Sequence, residues 1–251
     1  MRDFLLQKLK KERENKMLNQ FSRTELLIGK DGLEKLKNSK IAVFGIGGVG
    51  SFVVEGLARS GIENFVLIDN DTICLTNLNR QIHATTKTIG MYKVDVMKQR
   101  ILDINPDANI EIYKEFYLPE SKIKILNKNI DYIVDAIDTV TTKVLLACQA
   151  RDLEIPIISA MGTGNKLDPT RFEVTDIYKT SMCPLAKIMR KKLKENGVKK
   201  LKVVYSKEEP IKPYYDEIRK EEKVKAGSIS FVPSVVGMII AGEVIKDILK
   251  K

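Results

Sequence analysis

The chain has 251 residues, a formal net charge of +10 and a pI near 9.3. With 43% hydrophobic and 30% charged residues it can bury a real core, which excludes a disordered chain, while the basic balance favours a polyanionic partner unless it only mirrors a lysine-rich proteome. Three widely spaced cysteines (Cys74, Cys148, Cys183), no C-x-x-C and a single histidine, His83, exclude a disulfide framework, a four-cysteine zinc site and a histidine-based triad.

Residues 1–20 read as a basic, helix-like arm, with Lys8, Lys10, Lys11, Arg13 and Lys16 among apolar Leu5, Leu6, Leu9 and Met17. The arm is charged, so it is no signal segment. A helix follows over 24–38, then a strand over 41–44, a glycine turn, and a helix from 48 to 60. A second strand, 64–69, ends on an acid. Apolar Val94, Val96, Met97, Ile101 and Ile104 predict a helix over 93–104, broken by Asn105-Pro106. Strands are expected at 110–113, 132–135 and 155–159, with a helix between the last two that runs to about 153. This alternation predicts an α/β fold: a Rossmann-like, mostly parallel sheet with helices on both faces.

After Gly164 the pattern changes. Additional strands are expected at 172–176 and 201–205, around a helix that Pro184 opens at a favoured first-turn position. Residues 206–227, with Pro210 and Pro213, read as a mobile loop in which Tyr214 and Tyr215 could stack on bases. A core-packing helix spans about 234–250. The weakly polar stretch 229–245 contains Pro233, Ser234, Gly237 and Glu243 and is too short to span a membrane. The expectation is a soluble, cytoplasmic protein with one domain, 21–251, behind the arm 1–20.

The glycine turn is the strongest chemical signal. Gly45, Gly47 and Gly50, with Gly48 between them, form G-x-G-x-x-G between a strand and a helix. Gly45 permits the tight turn, Gly47 lets backbone approach a phosphate, and Gly50 lets the helix pack on the strand. The helix end then directs N–H groups at an anion. Asp69, 19 residues after Gly50, suits ribose hydroxyls in NAD and ATP alike. Cations separate the two nucleotides, because a triphosphate carries more charge than a pyrophosphate. Arg80 can form a fork to phosphate oxygens and Lys93 a point charge, with Asp71, Asn77 and Gln81 nearby in the sequence. In the next acid cluster, Asp135 and Asp138, the latter is placed to hold magnesium on phosphates.

These pieces resemble the ubiquitin-activating-type adenylyltransferases, the group containing ThiF, MoeB and HesA. The matching stretches are Gly45-Ile-Gly-Gly-Val-Gly50, Asp69-x-Asp71, Asn77-Leu-Asn-Arg-Gln81, Lys93 and Asp135-x-x-Asp138. Phe21-Ser-Arg-Thr-Glu-Leu-Leu, Val134-Asp-Ala-Ile-Asp-Thr-Val, Gly164-Asn-Lys-Leu-Asp-Pro-Thr-Arg-Phe172 and Lys207-Glu-Glu-Pro are closest to the threonylcarbamoyladenosine dehydratase branch. The resemblance implies ATP on the glycine turn, Asp69 on the ribose, Arg80 and Lys93 on the phosphates, and Asp138 serving Mg2+. It implies a homodimer in which Arg23 reaches the partner subunit's nucleotide. The substrate it implies is tRNA carrying threonylcarbamoyladenosine, whose threonyl carboxylate is adenylated and then closed into a ring. It further allows sulfur-transfer proteins as partners.

Competing readings stay open at this level. One is adenylation of the C-terminal carboxylate of a ubiquitin-like sulfur carrier, with Cys183 as the candidate thioester residue rather than a plain helix-start residue. Others are an NAD-dependent redox enzyme and a non-catalytic nucleotide scaffold. The absence of paired C-x-x-C predicts no structural zinc. Cys74 and Cys148 are expected to be buried packing residues, and His83 to make a structural hydrogen bond or else touch substrate. A cationic cluster, Lys187, Arg190, Lys191, Lys192, Lys194, Lys199, Lys200 and Lys202, suits an RNA backbone or a merely solvated helix face.

Overall fold

The computed structural model describes residues 18–118, 126, 129–214 and 226–250. Most of the arm, Tyr215 and much of the expected 206–227 loop lie outside the described residues. The helices are α1 (Ser22–Asn38), α2 (Gly50–Ser60), α3 (Lys93–Ile104), α4 (Val140–Asp152), α5 (Pro184–Glu195) and α6 (Phe231–Lys250). The strands are β1 (Lys40–Phe44), β2 (Asn64–Ile68), β3 (Asn109–Tyr113), β4 (Tyr132–Asp135), β5 (Ile157–Ala160), β6 (Phe172–Asp176) and β7 (Lys202–Ser206). They form a seven-stranded sheet in the order β3-β2-β1-β4-β5-β7-β6. Only the last pair, β6 with β7, is antiparallel.

The apolar run of β1 reflects burial on both faces, as a parallel sheet between helices requires. Its side chains alternate: Ile41 and Val43 join the core beneath α2, α3 and α6, whereas Ala42 and Phe44 join the core beneath α4. Register is set by this alternation, with Val43 opposite Leu67 of β2 and Val134 of β4. A third core packs α5 on α4 and β7 through Met189, Leu193, Ala147 and Val203.

Three departures from expectation have a clear physical cause. The α6 helix starts at Phe231 because Pro233 falls in its first turn, where N–H groups have no intrahelical acceptor anyway. The α1 helix is kinked at Gly29, whose φ of 73° is not helical. The β5 strand begins at Ile157, just after Pro156, which has no N–H to give a ladder. The glycine loop is held from behind by α6. A Cβ on Gly237 would lie 2.6 Å from the Val49 carbonyl oxygen and 2.7 Å from Phe52 Cβ, so the two helices touch at backbone distance.

Candidate functional site

In the sheet order, β2 and β4 flank β1 on opposite sides, so the chain reverses its winding between β1 and β4. Ligands in open α/β sheets sit at that reversal, beyond the carboxyl ends of the strands. A cavity of about 760 Å³ opens there. It is lined by Gly45, Gly47, Gly48, Asp69, Asp71, Asn77, Arg80, Gln81, Lys93 and Asp138, residues from five separate stretches of sequence. Gly50 lies behind the loop. A Cβ there would fall 1.8 Å from the Gly45 carbonyl oxygen, which no side chain can occupy. Gly45 itself has φ +87°, and a Cβ on Gly47 would meet only Gln81 Nε2, at 3.9 Å.

Asp69 ties the loop to the end of β2. Its carboxylate accepts from the Ile46 amide at 2.6 Å and from the Asp71 amide at 2.9 Å. Burial raises its pKa above the usual aspartate value, against the opposing pull of Lys93 and the two amides. Lys93 opens α3 and is 5% exposed. Its Nζ donates to Asp71 Oδ2 at 2.5 Å and stands 3.9 Å from Asp69 Oδ1. Half-buried Arg80 donates through Nη1 to the Thr76 carbonyl and to Asn79 Oδ1, each at 2.9 Å. Buried Asn77 accepts the Cys74 amide at 3.1 Å and so shapes the turn carrying Arg80. Gln81 is 5% exposed, and its Oε1 has no hydrogen-bond partner among the described residues. Asp138 is exposed at the cavity wall and accepts from its neighbour Thr139 at 3.4 Å.

The two acids of the β4–α4 turn have separate tasks. Asp135 is 0% exposed and accepts from Lys143 Nζ at 2.9 Å and Ser159 Oγ at 2.5 Å. It also accepts the Ile137 amide at 3.2 Å, which shapes the turn that presents Asp138. Asp138 alone is free to meet a ligand. Asp138 is the residue that would hold a Mg2+ ion beside bound phosphates. Arg23 is not brought to the cavity of its own chain; it is exposed on α1.

Several expectations need correction. Cys74 is exposed and lines the cavity, with its thiol pKa lowered chiefly by the Thr76 hydroxyl and further by the Thr76 and Asn77 amides and Lys93, against the opposing effect of burial. Cys148 is only half-buried. The His83 ring, expected to make a structural hydrogen bond, is buried with neither nitrogen partnered among the described residues, the residue being 2% exposed. Burial, then Lys93 and Arg100, lower its pKa to about 4, so it is neutral at physiological pH. Cys183 is 4% exposed and precedes α5. Two members of the cationic cluster are engaged elsewhere. Lys202 pairs with Glu243 and Asp247, and Arg190 donates to Thr180.

Sequence reasoning missed Thr142, Thr163 and Ser228, which also line the cavity. Isolated hydroxyl residues carry no motif, so no signal marked them. Lys143 was also missed. A lone lysine between the apolar positions of α4 was the available clue, since a buried ammonium demands a partner.

The model of the ThiF family matches residues 21–251. The chain belongs to the ThiF family. Among ThiF-type relatives, the tRNA threonylcarbamoyladenosine dehydratase of Bacillus subtilis (strain 168) is 47% identical over 245 residues, 93% of this chain and 96% of the relative. The fold is similar to that of the Escherichia coli tRNA N6-threonylcarbamoyladenosine dehydratase TcdA, solved with ATP (TM-score 0.81) and with AMP (TM-score 0.84). Identity to both is 33%, covering 92% of this chain and 94% of theirs. The Haemophilus influenzae (strain ATCC 51907 / DSM 11121 / KW20 / Rd) molybdopterin-synthase adenylyltransferase is 36% identical over only 51% of this chain.

Proposed function

We infer that this ThiF-family chain is an ATP-dependent dehydratase that cyclises threonylcarbamoyladenosine in tRNA. The observation that carries the reading is the convergence of a glycine loop, a ribose-type acid, two cations and a free carboxylate on one cavity at the sheet's winding reversal. A glycine loop with Asp69 alone would suit NAD. Arg80, Lys93 and Asp138 lining the same cavity suit a triphosphate. The whole-length likeness to the Bacillus subtilis dehydratase favours the tRNA substrate over a sulfur-carrier protein, and so does the burial of Cys183, the candidate thioester residue.

The chemistry follows from the substrate. A carboxylate oxygen leaves poorly, so the threonyl carboxylate must first displace pyrophosphate from ATP. The glycine loop and α2 terminus hold the phosphates, and Asp69 holds the sugar. Arg80 and Lys93 align the α-phosphate and spread the charge of departing pyrophosphate. Bound Mg2+, held by Asp138 and phosphate oxygens, would neutralise further charge. An internal nucleophile of the modified base then closes the ring as AMP leaves. No enzyme nucleophile is required.

The exposed cations of α5 and the turn after it, Lys187, Lys191, Lys194, Lys199 and Lys200, support docking of the tRNA backbone. Beside Arg23 on α1, Leu26 and Leu27 are each 87% exposed, which supports burial of this face in a homodimer. Residues 21–251 then act as one adenylating unit. The setting is cytoplasmic, where tRNA is found, and no described helix is long and apolar enough to cross a membrane.

The test uses labelled ATP, magnesium and tRNA with or without threonylcarbamoyladenosine. Pyrophosphate and AMP are expected only with the modified tRNA, together with a nucleoside lighter by one water. Pyrophosphate release without that mass change defeats the reading. Sedimentation should show a dimer, and Leu26→Glu with Leu27→Glu should yield a monomer.

A further inference from the structure

The nucleotide groups do not account for the whole cavity. Part of its wall carries hydroxyls, from Thr139, Thr142, Thr163 and Ser228. The Ser228 carbonyl accepts a hydrogen bond from Asn79 Nδ2 at 2.9 Å, and the backbone on either side of Thr163 and Ser228 is pinned by one residue outside the cavity. Asn165 is in the left-handed region, with φ 58°. Its amide donates to the Gly227 carbonyl at 2.8 Å, and its Oδ1 accepts the Gly227 amide at 2.7 Å. Its carbonyl accepts the Ile211 amide at 2.7 Å. One residue therefore joins the exit of β5, the chain after β7 and the approach to α6. Gly164 and Ala226 are pressed together beside it, so close that a Cβ on Gly164 would lie 2.7 Å from Ala226 Cβ.

A second clamp fixes the same segment from behind. The Glu208 carboxylate accepts the Leu167 amide at 2.9 Å and the Asp168 amide at 3.0 Å. Buried Lys166 returns the contact by donating to the Glu208 carbonyl at 2.6 Å. So much fixed backbone implies that the position of Thr163 and Ser228 matters. Thr163 stands two residues before Asn165 and Ser228 follows Gly227, so their separation depends on the Asn165 clamp.

We propose that this hydroxyl wall binds the amino-acid end of the substrate, and that Asn165 is the positioning residue that sets its width. The inference rests on the dehydratase reading and deepens it. A threonylcarbamoyl group offers a hydroxyl and urea-type N–H and C=O groups. Threonine and serine hydroxyls donate and accept, so they can pair with each of these. A site built to hydrogen-bond such groups rejects a substrate that lacks them.

The experiment measures KM for modified tRNA and for ATP, affinity for tRNA lacking the threonylcarbamoyl group, and melting temperature. Asn165→Gly keeps the left-handed backbone and removes only the acceptor for the Gly227 amide. Its KM for modified tRNA should rise about tenfold, the scale of one well-placed hydrogen bond. Its KM for ATP and its affinity for unmodified tRNA should stay within twofold of wild type. Asn165→Asp keeps the acceptor and should restore the KM. Thr163→Val removes a hydroxyl without touching a backbone bond, and it should raise the same KM even if the glycine variant folds poorly. A parallel rise in KM for ATP, or an unchanged KM for modified tRNA in both Asn165→Gly and Thr163→Val, overturns the proposal. If wild type itself releases no pyrophosphate with modified tRNA, the dehydratase reading fails instead.

Discussion

Lys93 begins α3 with its ammonium already committed to Asp71 and close to Asp69. That pairing distinguishes it from Arg80, whose guanidinium rests on a backbone carbonyl and an asparagine at the rim. Removing Lys93 leaves buried Asp69 facing Asp71 with no cation between them. Lys93→Ala should therefore cost about 1–3 kcal/mol of stability, less than a sealed pair because Asp71 is half open to water. The melting temperature should fall by several degrees. Arg80→Ala should melt like wild type. Both variants should lose AMP formation with modified tRNA. Calorimetry beside the turnover assay separates the two effects, and equal melting of Lys93→Ala and wild type contradicts the electrostatic role given to the pair.

The helices and strands divide into those written locally and those decided at long range. The β1 run, the glycine turn and α3 could be read directly, because each is a neighbour pattern: an apolar run, a φ requirement, a 3.6-residue period. The ten cavity residues could be named because each sits in a short local pattern, a loop of glycines or a charge at a strand end, although the patterns themselves lie far apart along the chain. What stayed hidden depends on partners far away in sequence. Asp135 shares an acid cluster with Asp138, yet Ser159 and Lys143 claim it. Asn165 lies in the Gly164–Phe172 stretch but meets Gly227 only through folding. Lys202 was counted as a free cation, though α6 neutralises it. On α5, Lys192 pairs with Glu195, but Lys187, Lys191 and Lys194 have no ion pair among the described residues. Reversing Lys187, Lys191 and Lys194 to Glu should weaken tRNA binding and reduce its log–log salt slope by about two to three. Turnover at saturating tRNA should persist. An unchanged slope removes α5 from the RNA interface.

The whole molecule carries its pH sensitivity in buried groups of two kinds. His83 titrates at about 4 when folded, against 6.5 for the free side chain. The unfolded chain therefore takes up the proton first, and stability is lost as pH falls from 6.5 towards 4. The full difference is of the order of 3 kcal/mol. Glu55 adds a lower window. Burial opposes its charge, but hydrogen bonds from Arg100 and Arg59 outweigh that, and its pKa falls below the usual value of 4.5. Lys202 does the same for Glu243 and Asp247. Their stabilisation is intact above the ordinary carboxylate values and disappears as pH drops through the lowered ones. Melting temperature should thus decline in two stages. His83→Leu should flatten the first stage and spare the second, and a profile of unchanged shape in that variant rules out His83 as its source.

The close approach of Gly237 to Val49 has a consequence in time. The phosphate turn is made early in synthesis, but the surface bracing it arrives with a helix that follows all seven strands. A nascent chain cannot use nucleotide as a template for its own maturation. Competence to hold ATP is conferred last, and a ribosome-bound chain ending before Phe231 should emerge with a loop that ATP does not protect from proteolysis.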